Sequence, residues 1–178
     1  MKQVNVKKIA LSGMFIALAV VLSTFSFPVG ASKCFPIQHM VNVLCAVFLG
    51  PWYGVAVAFC TSVIRNLLGT GTLLAFPGSM VGALACGLVY AKTKNYIATY
   101  VAEIIGTGVL GGMLAYPIAA FILGKEAALF TFVVPFLVST AGGTLIAAII
   151  ITALHQTKVL GKLQDMVTGD EETSKEAA

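Results

Sequence analysis

Two charged residues, Arg65 and Glu103, stand within long apolar stretches of this sequence. A charge in an apolar environment costs free energy, so such residues usually face the interior of a helix bundle and serve binding or transport. The structural alternative is that Arg65 binds loop carbonyl groups and Glu103 pairs with Arg65 or with a hydroxyl group. Counted along their helices, the two residues differ by ~9 Å in depth, so a direct ion pair needs the full reach of both side chains.

Polar residues form two sets in the sequence, and the members of each set have the spacing of one helical face. The first set is Ser62, Arg65 and Asn66, and the second is Gln38, His39 and Asn42. We predict that the two faces form opposite walls of a pocket, with polar edges from Ser79 and Tyr116 and a lid from loops 27–36 and 69–76. For His39, a hydrogen-bonded structural role is an equal alternative to ligand contact. No metal site is predicted, because no cysteine, histidine or carboxylate lies near His39 in the sequence.

Signatures of several other functions are missing from the sequence. It has no GxxxxGK[ST] loop, so the chain does not itself bind ATP in the P-loop manner. It has no HExxH or GxSxG motif and no paired carboxylates, so we predict neither an enzyme nor a cofactor. The cysteines lack CxxC spacing and are predicted to be small core residues. They are Cys34, Cys45, Cys60 and Cys86.

The amino-acid composition indicates which kind of secondary structure positions these side chains. Of the residues, 58% are apolar and 10% are charged, whereas an ordinary soluble domain has about 25% charged residues. Uncharged stretches of ~20 residues or more predict helices that cross a membrane. The first stretch is interpreted as a retained helix rather than a signal peptide, because further apolar segments follow at once. The prediction is an all-α polytopic membrane protein.

Six transmembrane helices follow when the breaks are placed at proline and glycine residues. The predicted spans are 7–26, 37–49, 51–68, 77–91, 95–123 and 127–155. At Leu49-Gly50-Pro51 a glycine ends one helix and a proline begins the next, which is the usual asymmetry of helix ends. The second and fourth helices are short for a ~30 Å hydrocarbon layer, so we expect them to start below the outer surface, beside a cavity.

Basic residues predict the orientation, since short cytoplasmic loops collect lysine and arginine. One side of the six-helix arrangement carries Lys2, Lys7, Lys8, Lys92, Lys94, Lys158, Lys162 and Lys175, and the other carries Lys33 and Lys125. Both termini are therefore predicted to be cytoplasmic, in the plasma membrane of a prokaryote. This bias also accounts for the net charge of +4 without a nucleic-acid partner. Residues 1–157 form the predicted membrane domain, and 158–178 form a flexible cytoplasmic tail.

The first helix carries a stripe of small residues, Ala10, Gly13 and Ala17, at positions i, i+3 and i+7. Small side chains allow another helix to approach closely within a membrane. The stripe therefore predicts either packing inside the bundle or docking of a partner protein, and the sequence leaves both alternatives open.

Four motifs occur in order along the chain. They are Gln38-His39-Met40-Val41-Asn42, Leu49-Gly50-Pro51-Trp52-Tyr53, Arg65-Asn66-Leu67-Leu68-Gly69-Thr70-Gly71-Thr72 and Leu74-Ala75-Phe76-Pro77-Gly78-Ser79. With these motifs the sequence resembles the ThiW family from about Lys7 to Leu154, and the run from Arg65 to Ser79 is the most specific part. The members of this family are substrate-binding S components of energy-coupling factor (ECF) transporters.

The resemblance implies a six-helix S component that captures the thiamin precursor 4-methyl-5-(2-hydroxyethyl)thiazole from outside the cell. It also implies docking on a transmembrane coupling subunit that works with two cytoplasmic ATPases. S components commonly dock through an Ala-x-x-x-Ala motif on helix one. Here Ala10 is followed four residues later by Met14, and the nearest match runs from Gly13 to Ala17.

Other functions stay open beside the one that the resemblance implies. The ligand could be another vitamin precursor, such as hydroxymethylpyrimidine, or thiamin. A stand-alone secondary transporter or channel is a further hypothesis, in which Arg65 and Glu103 relay protons. A membrane enzyme fits less well, because the sequence lacks a catalytic set.

Overall fold

The computed structural model describes the backbone of residues 6–30, 32–124 and 126–176, and the side chains of these residues up to 167. Within these ranges the chain folds into helices joined by short loops and a small hairpin. Lys2 and Lys125, which contributed to the predicted orientation, lie outside the described residues.

Helices make up most of the described chain. They are α1 (Val6–Val21), α2 (Pro36–Phe48), α3 (Pro51–Leu67), α4 (Ala75–Thr93), α5 (Tyr96–Ile122), α6 (Val133–Gln156) and α7 (Val159–Glu176). A short 3-10 helix, Leu22–Thr24, continues α1. The predicted helical membrane fold is confirmed, and α1 to α6 correspond in order to the six predicted spans.

A β-hairpin that the sequence did not predict connects α1 and α2. Strands β1 (Phe27–Val29) and β2 (Ser32–Cys34) are antiparallel, and Phe27 lies opposite Cys34. Gly30, between the strands, has a φ of 55°, which glycine adopts without the steric cost of a side chain. Strands of three residues are too short to leave a recognisable alternation of polar and apolar residues in the sequence.

Among the described residues, four helical segments are long and apolar enough to cross a membrane: Val6–Thr24, α4, α5 and α6. Helix α2 is apolar but has 13 residues, and α3 has 17. Six crossings therefore stay a prediction. The expectation of a short fourth helix was wrong, since α4 has 19 residues. Pro77 lies in the first turn of α4, where a missing backbone N–H is tolerated, and so it does not delay the start of the helix.

Helix α5 departs from α-helical geometry in two places. Ile104–Gly111 and Ile118–Ile122 are π-helical, whereas Tyr96–Glu103 and Gly112–Pro117 are α-helical. A π-helical turn accommodates more residues than an α-helical turn and often marks a functional site. As a result, residues beyond the first π segment point in directions that a regular helix does not predict.

Glycines allow the helices that surround the centre of the bundle to approach closely. A Cβ atom on Gly82 of α4 would collide with Oγ1 of Thr107 on α5, and one on Gly143 of α6 would collide with the carbonyl oxygen of Pro36 on α2. Small residues at such contacts bring helix backbones together within a membrane. These contacts determine how near α2, α4, α5 and α6 lie to one another.

The sixth helix begins at Val133, later than the predicted start at residue 127. Before it, the backbone N–H of Ala128 donates to Oγ1 of Thr131 at 2.8 Å and so stabilises a turn. Pro135 explains the later start: it lies in the first turn of α6, whereas in a helix from residue 127 it would interrupt the interior hydrogen bonds.

The segment that was predicted to be a flexible tail forms α7. Leu160 and Val167 on this helix are 2% and 8% exposed and join the main apolar cluster. Gln164 donates through Nε2 to the carbonyl oxygen of Val47 at 3.2 Å and to Oη of Tyr90 at 2.9 Å. The apolar residues of this polar segment whose side chains are described fall on one helical face and pack on the bundle.

Candidate functional site

A cavity lies where the β-hairpin meets the first turns of α2, α4 and α6 and the last turn of α3, and we call this part of the bundle the cavity end. Its lining consists of Ser32, Lys33, Phe35, Gln38, His39, Arg65, Thr72, Ala75, Gly78, Ser79, Thr107, Phe136 and Ser139. The empty space amounts to about 390 Å³ when its open mouth is included.

Arg65 lines the cavity from the last turn of α3, and the residue is 1% exposed. Its Nη1 donates a hydrogen bond to Oε1 of Gln38 on α2. Its Cζ lies 3.9 Å from the ring centroid of Phe35, in a cation–π contact. Nε and Nη2 have no hydrogen-bond acceptor among the described residues. The guanidinium is therefore held in place on one face and at one nitrogen, while the other two nitrogens lack a partner.

The loop after α3 is folded back onto the end of that helix. The carbonyl oxygen of Arg65 accepts from the backbone N–H of Thr70 at 2.9 Å. Asn66 donates through Nδ2 to the carbonyl oxygen of Thr72 at 3.2 Å. Asn66 therefore holds the loop, and through it the cavity residue Thr72, but does not itself line the cavity.

Glu103 of α5 lies behind the cavity wall and is fully buried. Its Oε1 accepts from Nδ1 of His39 at 3.1 Å, from Nδ2 of Asn42 at 3.0 Å and from Oγ1 of Thr107 at 3.0 Å. Because Nδ1 of His39 donates to the carboxylate, Nε2 is an acceptor in the neutral ring and a donor in the protonated ring. Glu103 thus orients a ring that lines the cavity.

No ion pair joins Arg65 to Glu103 within the described part of the chain. Adjacent residues of α2 bind them separately, Gln38 at the guanidinium and His39 at the carboxylate. Of the two partners that the sequence left open for Glu103, Arg65 and a hydroxyl group, the structure has the hydroxyl group of Thr107. One helix face therefore brings both charged side chains to the same region.

A second polar group connects α2, α3 and α4 at the cavity. Ser79 lies with its Oγ 3.3 Å from Oγ of Ser62 and donates to the carbonyl oxygen of Ala75 at 2.9 Å. Asn42 donates through Nδ2 to the carbonyl oxygen of Ser79 at 3.1 Å. These bonds join buried polar groups of three helices and hold Ser79 in the wall.

The structure places the predicted pocket residues in three positions. Gln38, His39, Arg65 and Ser79 line the cavity, whereas Asn42, Asn66 and Glu103 stand behind the lining residues and bind them or the adjoining loop. Tyr116 is half-buried and does not line the cavity. It lies 13 residues after Glu103, about 3.6 turns of a regular helix, and this spacing already places the two side chains on different faces.

Five lining residues fall within the two loops predicted as a lid, whereas Phe136 and Ser139 of α6 were not predicted. The five are Ser32, Lys33, Phe35, Thr72 and Ala75. The backbone N–H of Phe35 donates to Oγ of Ser139 at 2.8 Å, and Sγ of Cys34 donates to the carbonyl oxygen of Pro135 at 3.1 Å. These contacts join segments far apart in the chain, and no local pattern signals them. Thr107 is different: it lies four residues after Glu103, and this helical spacing could have indicated it.

Cys34, which lies on the predicted outer loop, is fully buried. Burial raises the pKa of the Cys34 thiol above its ordinary value, so the side chain remains a neutral donor. Among the described residues, no group of three or more His, Cys, Asp or Glu side chains is arranged to hold a metal ion, and we assign no metal centre.

The small-residue stripe of α1 faces away from the rest of the chain. Ala10, Gly13 and Ala17 are exposed, and a Cβ atom on Gly13 would meet nothing within 4 Å. The stripe therefore does not serve packing within the described part of the chain, and such packing was one of its two predicted roles.

Helices of membrane-spanning length around a cavity with buried polar side chains are the architecture of a membrane protein that handles a small molecule. The class is that of the small helical transport proteins. The family model of the thiamine-precursor transporter protein (ThiW) matches residues 9–157, and the chain belongs to this family. A comparison with curated proteins found no match.

Proposed function

We propose that this member of the ThiW family is the S component of an ECF transporter and captures hydroxyethylthiazole from outside the cell. The observation that carries the proposal is the cavity with Gln38, His39, Arg65 and Ser79 in its wall, in a chain of the thiamine-precursor transporter family. ATP hydrolysis by partner subunits would drive uptake, because the sequence has no P-loop of its own.

The lining suits a small heteroaromatic alcohol. Phe35 and Phe136 offer apolar surface to the ring, while Gln38, His39 and Ser79 offer hydrogen-bonding groups to the hydroxyl and the ring nitrogen. A few polar groups in an otherwise apolar site are what fixes the orientation of a small ligand. Intact thiamin fits less well, because its thiazolium ring is a cation and would meet the charges of Arg65 and Lys33.

Titration calorimetry on the purified protein tests the binding site. We expect wild type to bind hydroxyethylthiazole, and His39→Ala and Ser79→Ala to weaken binding ~5- to 150-fold, since each leaves a ligand group without its partner. Tyr116→Phe, which changes a half-buried residue outside the lining, is the control and should bind as wild type does. If wild type binds hydroxymethylpyrimidine but not the thiazole, the proposed substrate is wrong and the proposed binding site stands.

The exposed stripe of α1 is the proposed docking surface for the coupling subunit. A helix of the partner can approach closely where Ala10, Gly13 and Ala17 leave room. Gly13→Leu should abolish uptake in cells and co-purification of the coupling subunit and ATPases, while thiazole binding by the isolated chain persists. Gradient-driven uptake by the isolated chain would instead favour a secondary transporter.

Both termini are proposed to be cytoplasmic, in the plasma membrane of a prokaryote. Because Cys34 is buried, labelling of the native cysteine does not report the orientation. Cysteines introduced at the exposed positions Glu126 and Thr93 do so. An impermeant thiol reagent applied to intact cells should label the cysteine at position 126 and not the one at position 93. The protein without introduced cysteines gives the background. The reverse result would mean that the topology is inverted.

A further inference from the structure

We propose that the ligand of this cavity carries an anionic group with two acceptor oxygens, a carboxylate or a phosphate, and that Arg65 binds this group through Nε and Nη2. The inference rests on the proposed transporter and its cavity, and it replaces the neutral thiazole alcohol by an anionic derivative as the preferred ligand. Its basis is that one nitrogen and one face of the Arg65 guanidinium contact other residues, whereas one edge has no acceptor among the described residues.

The guanidinium group has two kinds of hydrogen-bonding edge. Nη1 donates to Gln38, and the face is covered by the ring of Phe35. Nε and Nη2, which share one edge of the planar group, have no acceptor among the described residues. Two parallel N–H groups on one edge match the two oxygens of a carboxylate or phosphate, whereas an alcohol oxygen occupies only part of that edge.

Burial makes the unpaired edge costly. Arg65 is 1% exposed, so solvent water supplies few acceptors for its unpaired N–H groups. A buried charged donor without an acceptor destabilises the site. Gln38 holds Nη1 and Phe35 holds the plane, so the guanidinium cannot turn without losing both contacts. A ligand that supplies two oxygens at this edge therefore meets a group that is already oriented.

The charges around the cavity favour the same class of ligand. Its described lining includes the cations Arg65 and Lys33 and no acidic residue. Glu103, the buried carboxyl group behind the wall, is bound at Oε1 by His39, Asn42 and Thr107, and its Oε2 has no hydrogen-bond partner among the described residues. It is not itself a lining residue. The cavity thus holds a positive charge that a bound anion would neutralise.

The test compares three ligands that share one ring. Hydroxyethylthiazole is neutral, its phosphate monoester is an anion, and the ionised form of (4-methylthiazol-5-yl)acetic acid is an anion with a carboxylate in place of the alcohol. Calorimetry on wild type should give anion affinities at least ~10-fold higher than that of the alcohol, because charge-assisted bidentate bonds exceed neutral ones. Whichever anion binds more tightly identifies the source of the two oxygens.

Variants then assign the preference to Arg65. Arg65→Lys keeps a charge but loses the planar edge, and Arg65→Gln loses both, so each should reduce the ratio of anion to alcohol affinity at least ~10-fold. The ratio is measured on one folded preparation, which separates it from any general loss of stability. Lys92→Gln, at an exposed position on α4 far along the chain from the lining residues, is the matched control and should keep the wild-type ratio.

The outcomes distinguish this inference from the function on which it rests. If the alcohol binds as tightly as both anions or more tightly, the inference is wrong and the proposed thiazole transporter stands. If the anions bind more tightly but both Arg65 variants keep the preference, the assignment to Arg65 is wrong. If wild type binds none of the three ligands, the proposed function fails together with the inference.

Discussion

The two ends of the bundle are packed in different ways. At the end covered by α7, buried apolar side chains from four helices fill the interior: Leu44, Val47, Phe48, Tyr90, Ile151 and Leu160. At the cavity end, the apolar cluster of the described residues is Leu74, Ala115, Ala119, Phe132 and Phe136. Buried polar side chains occupy the space between this cluster and the rest of the core.

This difference separates stability from binding. Closely packed apolar side chains contribute dispersion energy throughout the α7 end, and a vacancy there is costly. At the cavity end, Arg65 keeps donors without acceptors in the described structure, which is unfavourable for the unliganded fold but useful to a ligand. We therefore expect changes at the α7 end to alter unfolding and changes at the cavity end to alter affinity.

The largest effect is expected from Ile151→Ala at the α7 end. Ile151 is 1% exposed, and its truncation should lower the free energy of unfolding by ~2–5 kcal/mol through the cavity that remains. Denaturant unfolding in mild detergent measures this, and the thiazole affinity of the folded variant should not change. Ile149→Ala, on the same helix at a residue 62% exposed, should change stability by less than ~0.5 kcal/mol. Equal losses in the two variants would contradict the comparison.

A smaller loss of stability, together with loss of binding, is expected from Gly143→Ala. The new Cβ would lie 2.7 Å from Cβ of His39, so α6 must move away from α2 at the cavity. Overpacking of this kind costs ~1–3 kcal/mol, and the displaced ring should bind the thiazole more weakly. Gly142→Ala is the matched control, because its Cβ would meet Pro36 at an ordinary 3.7 Å. Unchanged affinity in Gly143→Ala would show that the position of His39 does not matter.

Glu103→Gln is expected to cost ~1–2 kcal/mol, since charge-assisted hydrogen bonds to His39, Asn42 and Thr107 become neutral ones. The His39 ring is then held less firmly, and thiazole binding should weaken as well. Glu126→Gln makes the same chemical change at an exposed position and should leave both measurements as in wild type. If Glu103→Gln lowers the stability but leaves the thiazole affinity unchanged, Glu103 has only a structural role.

The smallest effect is expected from Gln164→Ala on α7. Loss of the hydrogen bonds to Val47 and Tyr90 should lower the free energy of unfolding by ~1 kcal/mol. Thiazole affinity should stay the same, because α7 lies at the other end of the bundle from the cavity. Lys162→Ala, exposed on the same helix, serves as control. A clear change in affinity on Gln164→Ala would mean that the two ends are coupled.

Much of the fold could be predicted from local patterns. The scarcity of charges predicts a membrane protein, and Gly50-Pro51 marks the boundary between α2 and α3, where Gly50 has a φ of 85°. Prolines were less easily interpreted. The predicted spans begin a helix at Pro77 and leave Pro135 inside one, whereas both lie in the first turn of a helix, and only the neighbouring loops determine where such a turn begins.

The site could be predicted in part, because helical spacing places Gln38, His39 and Asn42 on one face. That spacing does not say which group each of them binds. The predicted residue Tyr116 does not line the cavity. Phe35, which precedes α2, and Phe136 of α6 reach the cavity through contacts between distant segments. Such contacts depend on how whole helices cross, which no local pattern encodes.

The sequence by itself determined the membrane class, the order of α1 to α6, the burial of Arg65 and Glu103, and the family. Periodicity and composition are local properties, so they are readable without the fold. The tertiary structure alone decided that Gln38 meets Arg65, that His39 meets Glu103, and that α7 packs on the bundle. The physical reason is that close contacts at glycines such as Gly82 and Gly143 fix the distances between helices, and those distances decide which buried polar groups find partners.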